Sequence, residues 1–235
     1  MPQRASPFRC EGKLERECRA RGYQAVAGVD EAGRGSLFGP VFAAAVVLSP
    51  DRPIRGLRDS KLLDAARREA LAQRIRERAV AWAIGCSDAA EIDRVNIYQA
   101  SLRAMRRAVE KLEPPCDYLL LDAVRLDIGL PQQSIIHGDV KVQCIAAASI
   151  LAKVARDACL RAWDLVFPAY GLARNKGYST PEHLEALARF GPTPLHRFSF
   201  EPVRLAFRFP LAEARPQLTL PFPEDSALRK GVPVE

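Results

Sequence analysis

An α/β domain with a mixed central sheet flanked by helices is what this 235-residue sequence predicts. Three observations predict it. Two apolar runs, residues 25–27 and 41–48, flank a glycine-rich loop, as the strands of a hairpin would. Residues 118–121 are wholly apolar, the pattern of a short strand covered on both faces. Stretches with helical periodicity separate and follow these runs, which is the order of a layered α/β domain. With 48% hydrophobic residues, the chain can bury a full core.

Taken in order, residues 1–22 are a charged lead-in with a short helix over 13–21. Strands follow over 23–30 and 41–48, paired antiparallel because their connection is short. Pro50 and Pro53 break the chain, and a helix dense in Ala, Arg and Glu occupies 62–78. A third strand covers 79–86. Ser87-Asp88 caps a short helix. A longer one runs over 96–112 with Leu102, Met105 and Val109 on one face, and Pro114-Pro115 ends it. The central strand 118–122 stops on an acid, and a fifth strand covers 133–136. A long helix over about 142–167 is rich in alanine, and its small side chains permit close approach to a neighbouring backbone. Ser179-Thr180 opens a further helix over 181–190. One domain with a helical C-terminal part is thus expected over 23–209. Residues 210–235, with five prolines among polar residues, make a loosely ordered tail.

Lys plus Arg number 35 against 28 Asp plus Glu, a net charge of +7, which favours a polyanionic partner such as nucleic acid. The six cysteines form no CxxC pair and are expected as free thiols in a reducing cytoplasm. The polar first 21 residues lack a signal-peptide pattern, and no apolar run is long enough to span a bilayer, so no membrane role is expected.

The chemistry centres on residues 28–39, Gly-Val-Asp-Glu-Ala-Gly-Arg-Gly-Ser-Leu-Phe-Gly. Asp30 and Glu31 close the first strand side by side. Neighbouring carboxylates raise each other's pKa, and a divalent cation removes that cost, so the pair points to a hard metal with oxygen ligands. Successive side chains on a strand face opposite ways, so the strand must end here or Glu31 must fold back over its tip. Asp122 ends a central strand, and Asp139 stands at a helix entrance. If the strands of Asp30 and Asp122 are parallel neighbours, their acids meet at one sheet edge. Asp157, flanked by Arg156 and Arg161, is expected in a structural ion pair.

These segments resemble type 2 ribonuclease H, the bacterial ribonuclease HII family. The likeness is carried by Ala27-Gly28-Val29-Asp30-Glu31-Ala32-Gly33-Arg34-Gly35, Asp59-Ser60-Lys61, Leu121-Asp122, Gly138-Asp139, the helix segment from Ala146 to Val154 with Arg156-Asp157, and Lys176-Gly177-Tyr178 with Thr180 and His183. The resemblance implies a ribonuclease H-like fold and endonucleolytic hydrolysis of the RNA strand in RNA–DNA hybrids. It implies action on single ribonucleotides embedded in duplex DNA, cut on their 5′ side, as in ribonucleotide excision repair. Products would carry 5′-phosphate and 3′-hydroxyl ends. It places the active-site acids on Asp30, Glu31, Asp122 and Asp139, with Asp30, Glu31 and Asp122 as ligands of two Mg²⁺ or Mn²⁺ ions. It assigns Gly33, Arg34 and Gly35 to reading the 2′-hydroxyl and Tyr178 to stacking on the neighbouring sugar. Ser60, Lys61, Lys153 and Lys176 become phosphate contacts. A cytoplasmic monomer acting on nucleic acid is the expectation. The family commonly has Lys at the place of His137, a small polar residue at Val140 and Gly at Ala123. A DNA-cleaving metal nuclease and a non-catalytic hybrid-binding protein of the same fold are the alternatives.

Overall fold

The computed structural model describes residues 10, 12–58, 60 and 63–208. Lys61 and the tail expected over 210–235 lie outside the described residues. Five strands form one sheet: β1 (Val26–Ala32), β2 (Val41–Val47), β3 (Ala81–Ser87), β4 (Tyr118–Asp122) and β5 (Gln132–Ile135). Their spatial order is β3-β2-β1-β4-β5. β1 and β2 are the expected antiparallel hairpin, and β3 adds antiparallel to β2. β4 lies parallel to β1, with Val29 opposite Leu121, and β5 lies parallel to β4. The sheet is therefore mixed, and Asp30 and Asp122 lie at the same end of their neighbouring strands.

The described helices are α1 (Lys13–Ala20), α2 (Ala65–Arg78), α3 (Ala89–Val95), α4 (Ile97–Glu110), α5 (Gly138–Lys141), α6 (Gln143–Val166), α7 (Leu172–Asn175), α8 (Pro181–Phe190) and α9 (Glu201–Arg208). Their starts follow from capping chemistry. Asp64, Asp88, Asn96 and Thr180 each accept a hydrogen bond from the backbone three residues on.

The alternation of β1 sorts the layers. Ala27 and Val29 face α3 and α4, packing with Ile92, Ala104 and Met105. Val26 faces the other way, toward Cys144 and Ile145 of α6. A Cβ on Gly28 would overlap the Cys144 and Ile145 backbone, so only glycine lets α6 lie this close. Ala146, Ala147 and Ala148 extend the same thin contact toward β2 and α2. A second core cluster holds the C-terminal helices, where Phe38 and Leu37 meet Leu160, Tyr170, Leu172, Leu187 and Val203.

The lead-in is packed more firmly than its composition suggests. Cys18 of α1 joins the cluster of Val26, Tyr118 and Cys144. The buried Glu15 carboxylate accepts from Cys144 N at 2.9 Å, supplying the cap that Val142 lacks for α6. The six cysteines form no disulfide among the described residues. No helix among the described residues is long and apolar enough to cross a membrane.

Candidate active site

β1 continues through Glu31 to Ala32 rather than ending at Asp30, with Ala32 opposite Phe42 of β2. The geometric difficulty of paired acids therefore resolves without a folded-back strand. Asp30 points to the α6 face and Glu31 to the opposite one, as the pleat requires. Both still line one cavity of about 250 Å³ at the strand ends.

The carboxylates of Asp30, Asp122 and Asp139 come together, with ligating oxygens all within 4.8 Å of one another. Asp30 and Asp139 are buried, and Asp122 is half-buried. Each is fixed by its element. Asp30 Oδ1 accepts from Glu31 N at 2.8 Å. Asp122 Oδ1 accepts from Gly138 N at 2.7 Å, tying the end of β4 to the start of α5. Asp139 is the second residue of α5. The trio differs from the set expected as metal ligands: Asp139 is in it and Glu31 is not. The Glu31 carboxylate instead accepts from Arg34 Nη1 at 3.3 Å.

Burial, then the charges of Glu31 and Asp122, hold the Asp30 carboxyl well above the usual range. Burial also raises Glu31, and the Arg34 guanidinium pulls it back. Carboxylate oxygens held this close have the chemistry that suits a divalent cation.

Gly33, Arg34, Gly35, Lys153 and Tyr178 line the same cavity. So does Ser60, but it is buried and its hydroxyl meets Ser149 Oγ at 2.9 Å, while Ser149 also reaches Asp30. Ser60 thus braces Ser149, which supports Asp30. Lys153 does present its stem to the cavity, yet its ammonium donates to Asp157 Oδ1 at 2.6 Å. Asp157 is in an ion pair as expected, but with Lys153 and Arg68, not with Arg156 or Arg161. Arg161 pairs with Glu69. Lys176 is not in the cavity wall; its ammonium donates to Ala173 O at 2.6 Å.

Two arginines to which the sequence assigned no site role stand behind the loop. Arg156 is 1% exposed and has no carboxylate partner among the described residues. It donates to Lys176 O at 2.6 Å, and its guanidinium carbon lies 5.2 Å from the Tyr178 ring centroid. Gly33, at φ +98, packs so tightly on it that a Cβ would overlap Arg156 Nε. Arg197, fully buried, donates to Gly39 O at 2.9 Å and Arg34 O at 2.8 Å. Its burial pushes its pKa down to about 9, which leaves it charged at neutral pH. Ser36 Oγ and Leu37 N both donate to Gly177 O. Two buried cations and these bonds lock the Gly33–Gly35 loop and Tyr178 into one unit. An arginine within an alanine-rich helix was the visible signal.

His183 and His196 are fully buried and share a hydrogen bond of 3.1 Å between their Nε2 atoms.

The sequence pattern of the family described as Ribonuclease HII matches residues 27–203. A ribonuclease HII from Solibacter usitatus is 66% identical over 208 residues, covering 88% of this chain and 91% of its own. One from Koribacter versatilis is 51% identical over 228 residues, covering 97% and 87%. Among solved structures, ribonuclease H2 from Pyrococcus horikoshii superposes with a TM-score of 0.69 at 25% identity, covering 79% of this chain and 98% of that one. Acids at one sheet edge, the glycine loop beside them and these likenesses agree: the chain belongs to the ribonuclease HII family, endonucleases that cleave the RNA of RNA–DNA hybrids.

Proposed function

We propose that this chain cleaves hybrid RNA with the help of two Mg²⁺ or Mn²⁺ ions, and that it also cuts duplex DNA on the 5′ side of a single embedded ribonucleotide. The ends left are 5′-phosphate and 3′-hydroxyl. The observation that carries this reading is the meeting of three carboxylates within 4.8 Å in the cavity that also holds Gly33, Arg34, Gly35 and Tyr178.

The donor set fits a hard divalent cation, since it is all carboxylate oxygen with no thiolate or imidazole. The raised Asp30 pKa fits as well, because a cation offsets the repulsion that raises it. Asp30, Asp122 and Asp139 would hold metal, with Glu31 joining from the cavity wall on release from Arg34. Bound divalent ions supply an activated water and relieve charge on a leaving oxygen.

The chain's own residues do the rest. Arg34 and Lys153 set positive charge at the cavity, which draws in a phosphodiester. Gly33 and Gly35 bare their backbone N–H groups, which suits recognition of a 2′-hydroxyl. Tyr178, 39% exposed and backed by Arg156, offers a ring face to the deoxyribose that follows. The unbridged cysteines support a reducing, cytoplasmic setting.

The experiment times cleavage of three matched duplexes: uniform hybrid, DNA with one ribonucleotide, and all DNA. The first two should be cut with Mg²⁺ or Mn²⁺ and spared in excess chelator. Tyr178→Ala forfeits packing worth roughly 1–3 kcal/mol and should slow the single-ribonucleotide duplex about tenfold or more. An intact single-ribonucleotide duplex, or equal cutting of all DNA, overturns the substrate reading; activity in chelator overturns the metal reading.

A further inference from the structure

The segment between β2 and α2 is lined with arginine that the site chemistry does not use. One cavity of about 340 Å³ has Arg55, Arg58, Arg67 and Arg74 around Leu57, Leu63 and Leu71. A second, of about 760 Å³, shares Arg55 and Arg74 and adds Arg52 and Arg78. The acids in their walls are only Asp51 and Glu77 among the described residues. The leucines are buried, so the groove has an apolar floor and cationic rims.

Some of these arginines are occupied. Arg67 pairs with Asp64 at 3.3 Å, and Arg52 and Arg78 donate to the carbonyls of Glu77 and Pro53. Arg55, Arg58 and Arg74 are exposed and make no hydrogen bond or ion pair among the described residues. Three exposed guanidiniums with a shared groove and no internal partner among those residues are suited to an external polyanion.

The groove adjoins the acid cavity. Ser60 lines the acid cavity, and Leu63 lines the arginine groove. Three residues span at most about 10 Å. Arg68 donates to Ser60 O at 3.0 Å and Leu63 O at 2.7 Å and pairs with Asp157, which also holds Lys153. A duplex that places a phosphodiester on Asp30 and Asp122 would run its next phosphates toward Arg58, Arg55 and Arg74.

We infer that the Arg55–Arg58–Arg74 groove is a phosphate track for the substrate duplex, outside the cleavage cavity, that sets affinity without touching the reacting bond. Such contacts position without reading sequence, and they make binding salt-dependent. The inference rests on the nucleic-acid reading of the cavity.

The test compares wild type with an Arg55→Ser/Arg58→Ser/Arg74→Ser variant. Binding is measured by anisotropy in chelator, on a G·C-rich hybrid with about five base pairs beyond the cut on each side and on hybrids extended by about ten on one side or the other. Wild type should gain about tenfold or more in affinity on extension in one direction, and the variant should gain little. The slope of log K against log salt should flatten by roughly 2–3 on that extended duplex, about 0.9 per lost contact. A triple Arg→Lys variant should keep the slope. Equal gain on extension and equal slope in wild type and serine variant would overturn the inference. Cleavage of the short hybrid with Mn²⁺ by both proteins keeps this result separate from the catalytic reading: if neither cuts it, the reading of the cavity fails, not the groove. Matching thermal unfolding of the two proteins excludes a folding defect.

Discussion

Replacing Asp30 by asparagine should make the metal-free protein more stable, not less. Asp30 is 6% exposed, and its neighbours' ligating oxygens lie within 4.8 Å. Two unit charges at that separation repel by about 3.5 kcal/mol at an effective dielectric of 20. Burial and the adjacent carboxylates raise the Asp30 pKa, so its charged form is disfavoured in the folded chain. About 1–2 kcal/mol of strain should remain at pH 7.5. The asparagine side chain would keep the oxygen that accepts from Glu31 N, so little else is lost. In chelator, Asp30→Asn should therefore melt about 3–6 °C higher than wild type. Metal should reverse the order. A cation at a hundred times its Kd adds about 2.7 kcal/mol to wild type and far less to the variant, which has lost the central ligand. Differential scanning fluorimetry in chelator and in Mn²⁺ reads both arms. A variant less stable than wild type in chelator refutes the repulsion argument, and equal Mn²⁺ stabilisation of both proteins refutes Asp30 as a ligand.

Arg156→Met should slow cleavage of the single-ribonucleotide duplex about tenfold through Tyr178, worth roughly 1–2 kcal/mol; combined with Tyr178→Ala it should add almost nothing, and additive losses in that double-mutant cycle would contradict the coupling. His196 is fully buried and its pKa is pushed down to about 3 by burial and His183. The unfolded chain binds that proton below about pH 6.5 and the folded chain does not, so stability should fall by about 2 kcal/mol from pH 7 to 5, and urea unfolding of His196→Asn should show a flatter profile. Glu91 is held at about 2, first by Arg107, so its contribution is present above about pH 4.5 and lost toward pH 2; with half-exposed arginine partners, Glu91→Gln should cost about 1–2 kcal/mol at pH 7, measurable by the same unfolding. Ala123 sits at φ 54, in the left-handed region, so Ala123→Gly should stabilise by about 0.5–1 kcal/mol, and an unchanged or lower midpoint would count against strain there.

Ala123 also shows what a sequence discloses. The family's usual glycine at this place has a backbone reason, which becomes visible only when the turn from Asp122 is seen. The acids were legible because their chemistry conflicts with their setting: carboxylates that end apolar strands demand an explanation from any reader. Which acids converge was less legible: Glu31 and Asp30 alternate across the strand, and only the turn from β4 into α5 brings Asp139 beside Asp30 and Asp122. The partners of Asp157 were partly within reach. On a helix, Lys153 at four residues distance is a neighbour, whereas Arg156 at one residue is turned away. Arg68 was not within reach, since only the packing of α2 on α6 brings it there. Arg197 was least legible of all, because a buried guanidinium held by loop carbonyls leaves no local pattern.

The supports share one element, and that has a mechanical consequence. Ser149, Lys153, Arg156 and Asp157 recur at intervals of four, three and one along α6, which places them on one face. Ser149 steadies Asp30, Lys153 lines the cavity, and Arg156 backs both Gly33 and Tyr178. The helix is pressed onto β1 at Gly28, where no side chain could intervene. A displacement of α6 would therefore move acid support and sugar-recognising ring together. Gly28→Ala forces such a displacement, because the obstructing atoms are backbone and cannot rotate aside. If that variant folds, metal-dependent stabilisation and single-ribonucleotide discrimination should decline together. Loss of one with the other intact would show that the two functions do not share this helix as their common frame.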